Sequence, residues 1–183
     1  MNHNPFLPFQ NLESERLLLR RLTAEDIQEV YDLRSNPDIM KYIPRPLVTN
    51  HHEALAHITM INDKIESGEA INWAITQKPS NKLLGIIGHY RIKWEHFRSE
   101  IGYMLLPETA GKGMATEALQ LIVDYGFNHM KMHSLEGVID PENFASARVL
   151  EKNGFVKEAH FREHEFYEGK FLDSAIYSKL KNR

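Results

Sequence analysis

Ile101-Gly102-Tyr103-Met104-Leu105-Leu106-Pro107-Glu108-Thr109-Ala110-Gly111-Lys112-Gly113-Met114-Ala115-Thr116-Glu117-Ala118 is the stretch from which the rest of the chain can be read. An apolar strand runs into Pro107, a small-residue loop follows, and helical spacing of apolar residues begins near Gly113. The first backbone N–H groups of a helix have no partners within it, and that end carries about half a positive charge. Gly111 and Gly113 keep side chains away from the turn, and Ala115 and Thr116 keep the first helical turn narrow. Such a turn can hold an anion through its backbone. The blander reading is a glycine-softened turn with no ligand. A Walker A loop is excluded, because Gly113 rather than Ser or Thr follows Lys112. A dinucleotide fingerprint fits poorly, since Thr116 stands where its third small residue belongs and the upstream strands form hairpins.

Working outward, the helix is expected over residues 113–130, with Ala115, Ala118, Leu119, Ile122, Val123, Gly126 and Phe127 at helical spacing. Ser134–Ile139 reads as a strand and Asn143–Lys152 as a helix closed by Asn153-Gly154. A final hairpin spans 155–166 and 171–179 around Glu168-Gly169. Upstream, 70–77, 83–94 and 99–106 are strands joined by short turns, so these neighbours are expected to be antiparallel. The strand–helix–strand crossover from 101 to 139 must instead be parallel and right-handed. Nearer the start, 17–21 is a strand and Thr23 caps a helix ended by Asn36-Pro37. A second helix is expected over 49–67, with Ala54, Leu55, Ile58, Ile61 and Ile65 inward and Gly68 as its stop. The fold class is therefore α/β (α+β), a mixed, mostly antiparallel, twisted sheet of about seven strands with helices on both faces.

The chain has 183 residues, and no linker, repeat or low-complexity segment divides it, so residues 1–183 are expected to form a single domain. With 22 Lys and Arg against 25 Asp and Glu, nothing suggests a nucleic-acid surface. The absence of cysteine excludes disulfides, thiolate metal sites and a Cys nucleophile. No apolar run approaches the ~20 residues of a membrane helix, and no signal peptide is visible, so a cytoplasmic protein is expected. His52-Glu53-Ala54-Leu55-Ala56-His57 is one residue too long for a zinc-binding His-Glu-x-x-His, and no metal site is expected. His160, Arg162 and His164 are expected to alternate onto one strand face, where a solvated edge is the simplest role.

The sequence resembles the GNAT N-acetyltransferases, and within them the RimJ/RimL-like ribosomal-protein N-terminal acetyltransferases. The resemblance covers nearly the whole chain. It begins at Leu12-Glu13-Ser14-Glu15-Arg16-Leu17-Leu18-Leu19-Arg20 and continues through Asn72-Trp73-Ala74-Ile75 and Glu100-Ile101-Gly102-Tyr103. The family's pyrophosphate loop falls on Ala110-Gly111-Lys112-Gly113-Met114-Ala115. A later motif falls on Asn143-Phe144-Ala145-Ser146 and Glu151-Lys152-Asn153-Gly154-Phe155, and the match ends at Gly169-Lys170-Phe171-Leu172-Asp173. Two positions depart from the family pattern. Ala110 replaces the Arg, Gln or Trp that usually opens the loop, and Leu150 stands where many members carry a thiolate-protonating Tyr.

The resemblance implies a GNAT fold and transfer from acetyl-CoA to a primary amine in a ternary complex, with no acyl-enzyme. The backbone of Leu105 and Leu106 would pair with pantetheine and help to orient the thioester carbonyl. Ala110, Gly111, Lys112, Gly113, Met114, Ala115 and Thr116 would hold the pyrophosphate. Asn143 would bond the cofactor near its reactive end, the blander role being a helix cap. Ser146 would protonate the leaving thiolate and Glu100 would be the base, against the plain readings of a surface helix serine and a solvated strand-end carboxylate.

An α-amine with a pKa near 7.7–8.0 is partly neutral at pH 7, whereas a lysine near 10.4 asks about 3.5 kcal/mol more. The acceptor is therefore expected to be an α-amine, as on a ribosomal or other protein N-terminus. The alternatives are a polyamine, amino acid or aminoglycoside, or a non-catalytic acyl-CoA sensor. Tyr42, Trp73 and Tyr103 could line the acceptor pocket, although aromatic residues so placed are commonly core. Oligomeric state, a homodimer included, is left open.

Overall fold

The computed structural model describes residues 4–181. Its centre is one eight-stranded sheet in the order β1-β2-β3-β4-β5-β6-β8-β7. The strands are β1 (Leu12–Glu13), β2 (Leu17–Arg20), β3 (Ile71–Gln77), β4 (Leu83–Lys93), β5 (Arg98–Leu105), β6 (Ser134–Ile139), β7 (Val156–Tyr167) and β8 (Lys170–Leu180). Every neighbouring pair is antiparallel except β5 and β6, which are parallel. The strand beyond the expected seven is β1, two residues long and too short to announce itself by alternation.

Five helices cover the sheet: α1 (Ile27–Ser35), α2 (Pro37–Met40), α3 (His51–Ser67), α4 (Met114–Asp124) and α5 (Phe144–Lys152). The β4 residues His89 and Tyr90 point to opposite faces, and they separate the two layers. His89 Nε2 lies 2.8 Å from the Ile122 carbonyl of α4. Tyr90 is on the face of α1, close enough to Arg34 to feel its charge. The crossover helix is shorter than expected: α4 ends at Asp124, and a wide π-helical turn carries the chain over Tyr125–His129. That turn brings Gly126 against the His89 ring, where a Cβ would lie 2.8 Å from Cε1.

Local signals in the sequence account for most boundaries. Asn50 caps α3 by accepting from Glu53 N–H, and Gly68 ends it at φ 74°. Ala54, Ile58, Ile61 and Ile65 of α3 are buried, but Leu55 is 36% exposed and belongs to the outer face. It sits one residue past the inward stripe, about 100° around the helix. Trp73 takes the core role common to aromatic residues on strands: it is fully buried, edge-on to Tyr125. Its indole N–H donates to the Gln10 carbonyl. The face shared by His160, Arg162 and His164 is broken by a register shift in β7 and by a positive φ of 51° at Glu163. Asp173 spans the break, accepting from both Glu163 N–H and His160 Nε2.

Candidate active site

The site begins where two parallel strands part. β5 pairs with β6 only from Arg98 to Ile101, against Ser134 to Gly137, yet β5 runs on to Leu105 and β6 to Ile139. Beyond Ile101 the β6 side of β5 has no strand partner. Leu106 N–H donates back to Leu84 O of β4, which fixes the alternation of the strand. Groups of Gly102 and Met104 therefore face β4, and those of Tyr103 and Leu105 face the gap. Leu106 itself is committed, because its carbonyl also accepts from Thr109 N–H and Thr109 Oγ1.

The gap leads into the glycine loop. Ala110 and Lys112 N–H groups are used inside it, donating to Pro107 O and Thr109 O. The amides of Gly111, Gly113, Met114, Ala115 and Thr116 have no protein acceptor among the described residues. Gly111 and Gly113 have φ values of 72° and 74°, a left-handed conformation that a side chain makes costly. No described atom lies within 4 Å of where a Gly111 Cβ would be, so the loop is open above.

A clasp that local sequence reading missed holds the loop from the opposite end of the chain. Arg16 Nη1 donates to Lys112 O at 3.2 Å, while its Nε donates to Glu117 of α4 at 2.8 Å. The Ser14 hydroxyl donates to the other Glu117 oxygen at 2.6 Å. These hydrogen bonds hold the Glu117 carboxyl below its usual value, outweighing partial burial. Arg20 meanwhile binds Asp26 through two parallel contacts of 2.9 and 2.7 Å. The quoted segment 12–20 thus supplies the two arginines that tie the sheet edge to α4 and to the start of α1. Ala110 offers no polar side chain to the loop, and Arg16 Nη2 lies 3.7 Å from the Gly113 Cβ position.

Across the gap stands α5. Asn143 caps it, its Oδ1 accepting from Ser146 N–H at 3.1 Å, which leaves the Nδ2 group for other partners. The Ser146 hydroxyl lies 2.8 Å from the Tyr103 hydroxyl. Tyr103 also approaches the Ser146 carbonyl at 3.2 Å. Burial pushes the Tyr103 phenol up to about 12, so it stays protonated. The sequence offers Tyr103 only as one of three aromatics that could line an acceptor pocket; its contact with Ser146 is a feature of the folded chain. Leu150 is buried and packs on Gly137, where a Cβ would meet it at 2.9 Å. It faces the core, away from the gap.

Glu100 lies on the other face of β5, beside Tyr90 in register and next to Glu136. Its Oε2 accepts from Arg91 at 2.7 Å, and its side chain is only 19% exposed. Burial raises its pKa above the carboxylate norm; Arg91 opposes that rise, and Glu136 and Glu165 add to it. A hindered, partly paired carboxylate of this kind can accept a proton more readily than a solvated one.

Comparison with known proteins places the chain in a family. The sequence pattern of the acetyltransferase (GNAT) domain matches residues 16–156. The chain is 35% identical over 172 residues to "Uncharacterized N-acetyltransferase p20" of Bacillus licheniformis, covering 94% of this chain and 97% of that protein. It is 28% identical over 156 residues to the spermidine N(1)-acetyltransferase of Escherichia coli K12, covering 85% and 81%. The crystal structure of RimL, a ribosomal L7/L12 α-N-protein acetyltransferase in complex with coenzyme A, superposes with a TM-score of 0.84. That pair covers 93% of this chain and 98% of that one at 20% identity, a likeness of fold. No helix among the described residues is long and apolar enough to cross a membrane. The chain belongs to the GNAT acetyltransferase family and is an N-acetyltransferase that draws its acetyl group from acetyl-CoA.

Proposed function

We propose that the protein acetylates an α-amine, as at a protein N-terminus, by direct attack on acetyl-CoA held in the gap between β5 and β6. The carrying observation is the five free amides at Gly111 and Gly113–Thr116, lying at the mouth of an unpaired β5 edge. The diphosphate would rest on those amides, and the pantetheine would take the place of a strand beside Tyr103 and Leu105. Asn143 Nδ2 would donate to the cofactor near its thioester.

In the reaction the amine gives up a proton toward Glu100, directly or through water. Its lone pair then attacks the thioester carbonyl carbon. The tetrahedral adduct gives up its second nitrogen proton to water and expels the thiolate, which takes a proton from Ser146. Ser146 regains one from water, and the Tyr103 hydroxyl holds it in place through their shared hydrogen bond. An α-amine suits the site because Glu100 and Glu136 are already paired with arginines. Glu100 pairs with Arg91 at 2.7 Å and Glu136 with Arg98 at 2.8 Å, so neither is free for the further ammonium groups of a polyamine. A second reading, a polyamine acceptor, is favoured by the 28% identity to the spermidine acetyltransferase.

The test is thiol release from acetyl-CoA with a panel of N-terminal peptides, spermidine and amino acids. The proposal expects peptides to have the highest kcat/KM. Faster turnover of spermidine would transfer the assignment to polyamines.

A further inference from the structure

Arg34, in the last turn of α1, is 92% buried and has no carboxylate partner among the described residues. Its Nη1 meets only the Met40 sulfur at 3.5 Å, and its Nη2 meets the Pro46 carbonyl at 3.3 Å. Its Nε is buried with no acceptor among the described residues. A buried guanidinium normally finds a carboxylate, because removing the charge from water costs several kcal/mol. Here the nearest strong influence is of the same sign: Arg45, from the loop after α2, also without a carboxylate partner. Burial first, and Arg45 second, weaken the hold of Arg34 on its proton.

The position of this unbalanced pair matters. The Arg34 charge reaches Tyr90, which lies beside Glu100 on β4 and β5, and Tyr167 at the end of β7. It also reaches His57 on α3. The pair therefore stands on the acceptor face, with Tyr90 between it and the proposed base. Glu100 and Glu136 have their own arginines, so neither neutralises Arg34 or Arg45.

We infer that Arg34 and Arg45 form a subsite for an anionic group, a carboxylate or a phosphate, carried by the acceptor several bonds from its amine. The inference rests on the proposed α-amine reading and narrows it to acceptors with an acidic group near the N-terminus. An anion there would receive the guanidinium donors that now meet a thioether and a single carbonyl.

Matched acceptors test this. Initial rates are compared for peptides that share an N-terminal residue but differ as Asp against Asn, or phosphoserine against serine, in the next two positions. The expected result is at least tenfold higher kcat/KM for the anionic member, expressed in KM and diminished by added salt. The Asp and phosphoserine arms show which anion is used. Arg34→Met should erase the preference while leaving the neutral peptide within about twofold, and Arg34→Lys should retain most of it. Should Arg34→Met not fold, Arg45→Ala and the wild-type salt dependence carry the same comparison. Equal wild-type rates within each pair, or equal losses on both members in the variant, would overturn the inference. Faster turnover of spermidine than of any peptide would instead overturn the α-amine reading on which the inference rests, and the subsite with it.

Discussion

The Tyr103 and Ser146 hydroxyls meet at 2.8 Å across the gap where β5 leaves β6, joining a strand to the first turn of α5. In the proposed reaction the pair would supply the acid that Leu150, packed on Gly137, cannot. Ser146→Ala and Tyr103→Phe are expected to lower kcat by 10- to 100-fold and to change acetyl-CoA affinity by less than threefold. Pre-steady-state thiol release and calorimetry separate the two quantities. Equal losses in both would make the pair a structural tie.

Arg16→Met should loosen the glycine loop by freeing Lys112 O and Glu117 from their shared partner. The expected outcome is about a tenfold fall in kcat/KM with acetyl-CoA. The acetyl thioester of N-acetylcysteamine has no diphosphate and should be used equally well by variant and wild type. A similar fall with both donors would show that Arg16 serves general stability.

Glu100, the proposed base, is expected to set the acid limb of the pH–rate profile. Its carboxyl titrates above the usual range because it is buried, and it must be deprotonated to take the amine proton. Rates should therefore fall as pH drops through that raised value, on top of the titration of the amine itself. Glu100→Gln should remove one proton from the steepness of the limb. Arg91→Ala takes away the cation that opposes burial, and should move the limb to higher pH. An unchanged limb in both variants would assign the base elsewhere.

His89 gives the fold an acid weakness. It is fully buried; its Nε2–H donates to Ile122 O, and Nδ1 accepts from the Ser99 hydroxyl. Burial lowers its pKa to about 4 from the ordinary 6.5, opposed in part by the Ile122 carbonyl. Below pH 6.5 the unfolded chain takes up a proton that the native state refuses until about pH 4. Stability should fall across that window, by roughly 3 kcal/mol at its lower end. Denaturant unfolding at pH 7.5, 5.5 and 4.5 measures the slope. His89→Gln, though less stable at pH 7.5, should show a shallower one, and an unaltered slope would refute the role given to His89.

Much of this architecture can be read from local signals. The strand Ser134–Ile139 was delimited to the residue, and Gly68 and the Asn153-Gly154 stop acted where helix-ending residues act. The glycine loop was legible because left-handed turns need particular residues. Features that depend on distant partners were not. Nothing near Arg16 announces Lys112, 96 residues on, and Leu55 differs from its buried neighbours only by its angle on α3. Which groups of β5 remain free depends on where β6 diverges and on Leu106 bonding to Leu84, and composition does not encode either. Arg34 looks in sequence like one more charged residue ending a helix. Its burial without an anion exists only in three dimensions.

The central claim is that the open amides of the glycine loop bind the coenzyme A diphosphate. Titrating isotope-labelled protein with coenzyme A while following backbone amide resonances tests it most directly. Gly111, Gly113, Met114, Ala115 and Thr116 should move furthest, with Leu105 next, and Gly111→Glu should weaken binding at least tenfold beyond Gly111→Ala. Saturable binding that leaves those five resonances in place would contradict the account.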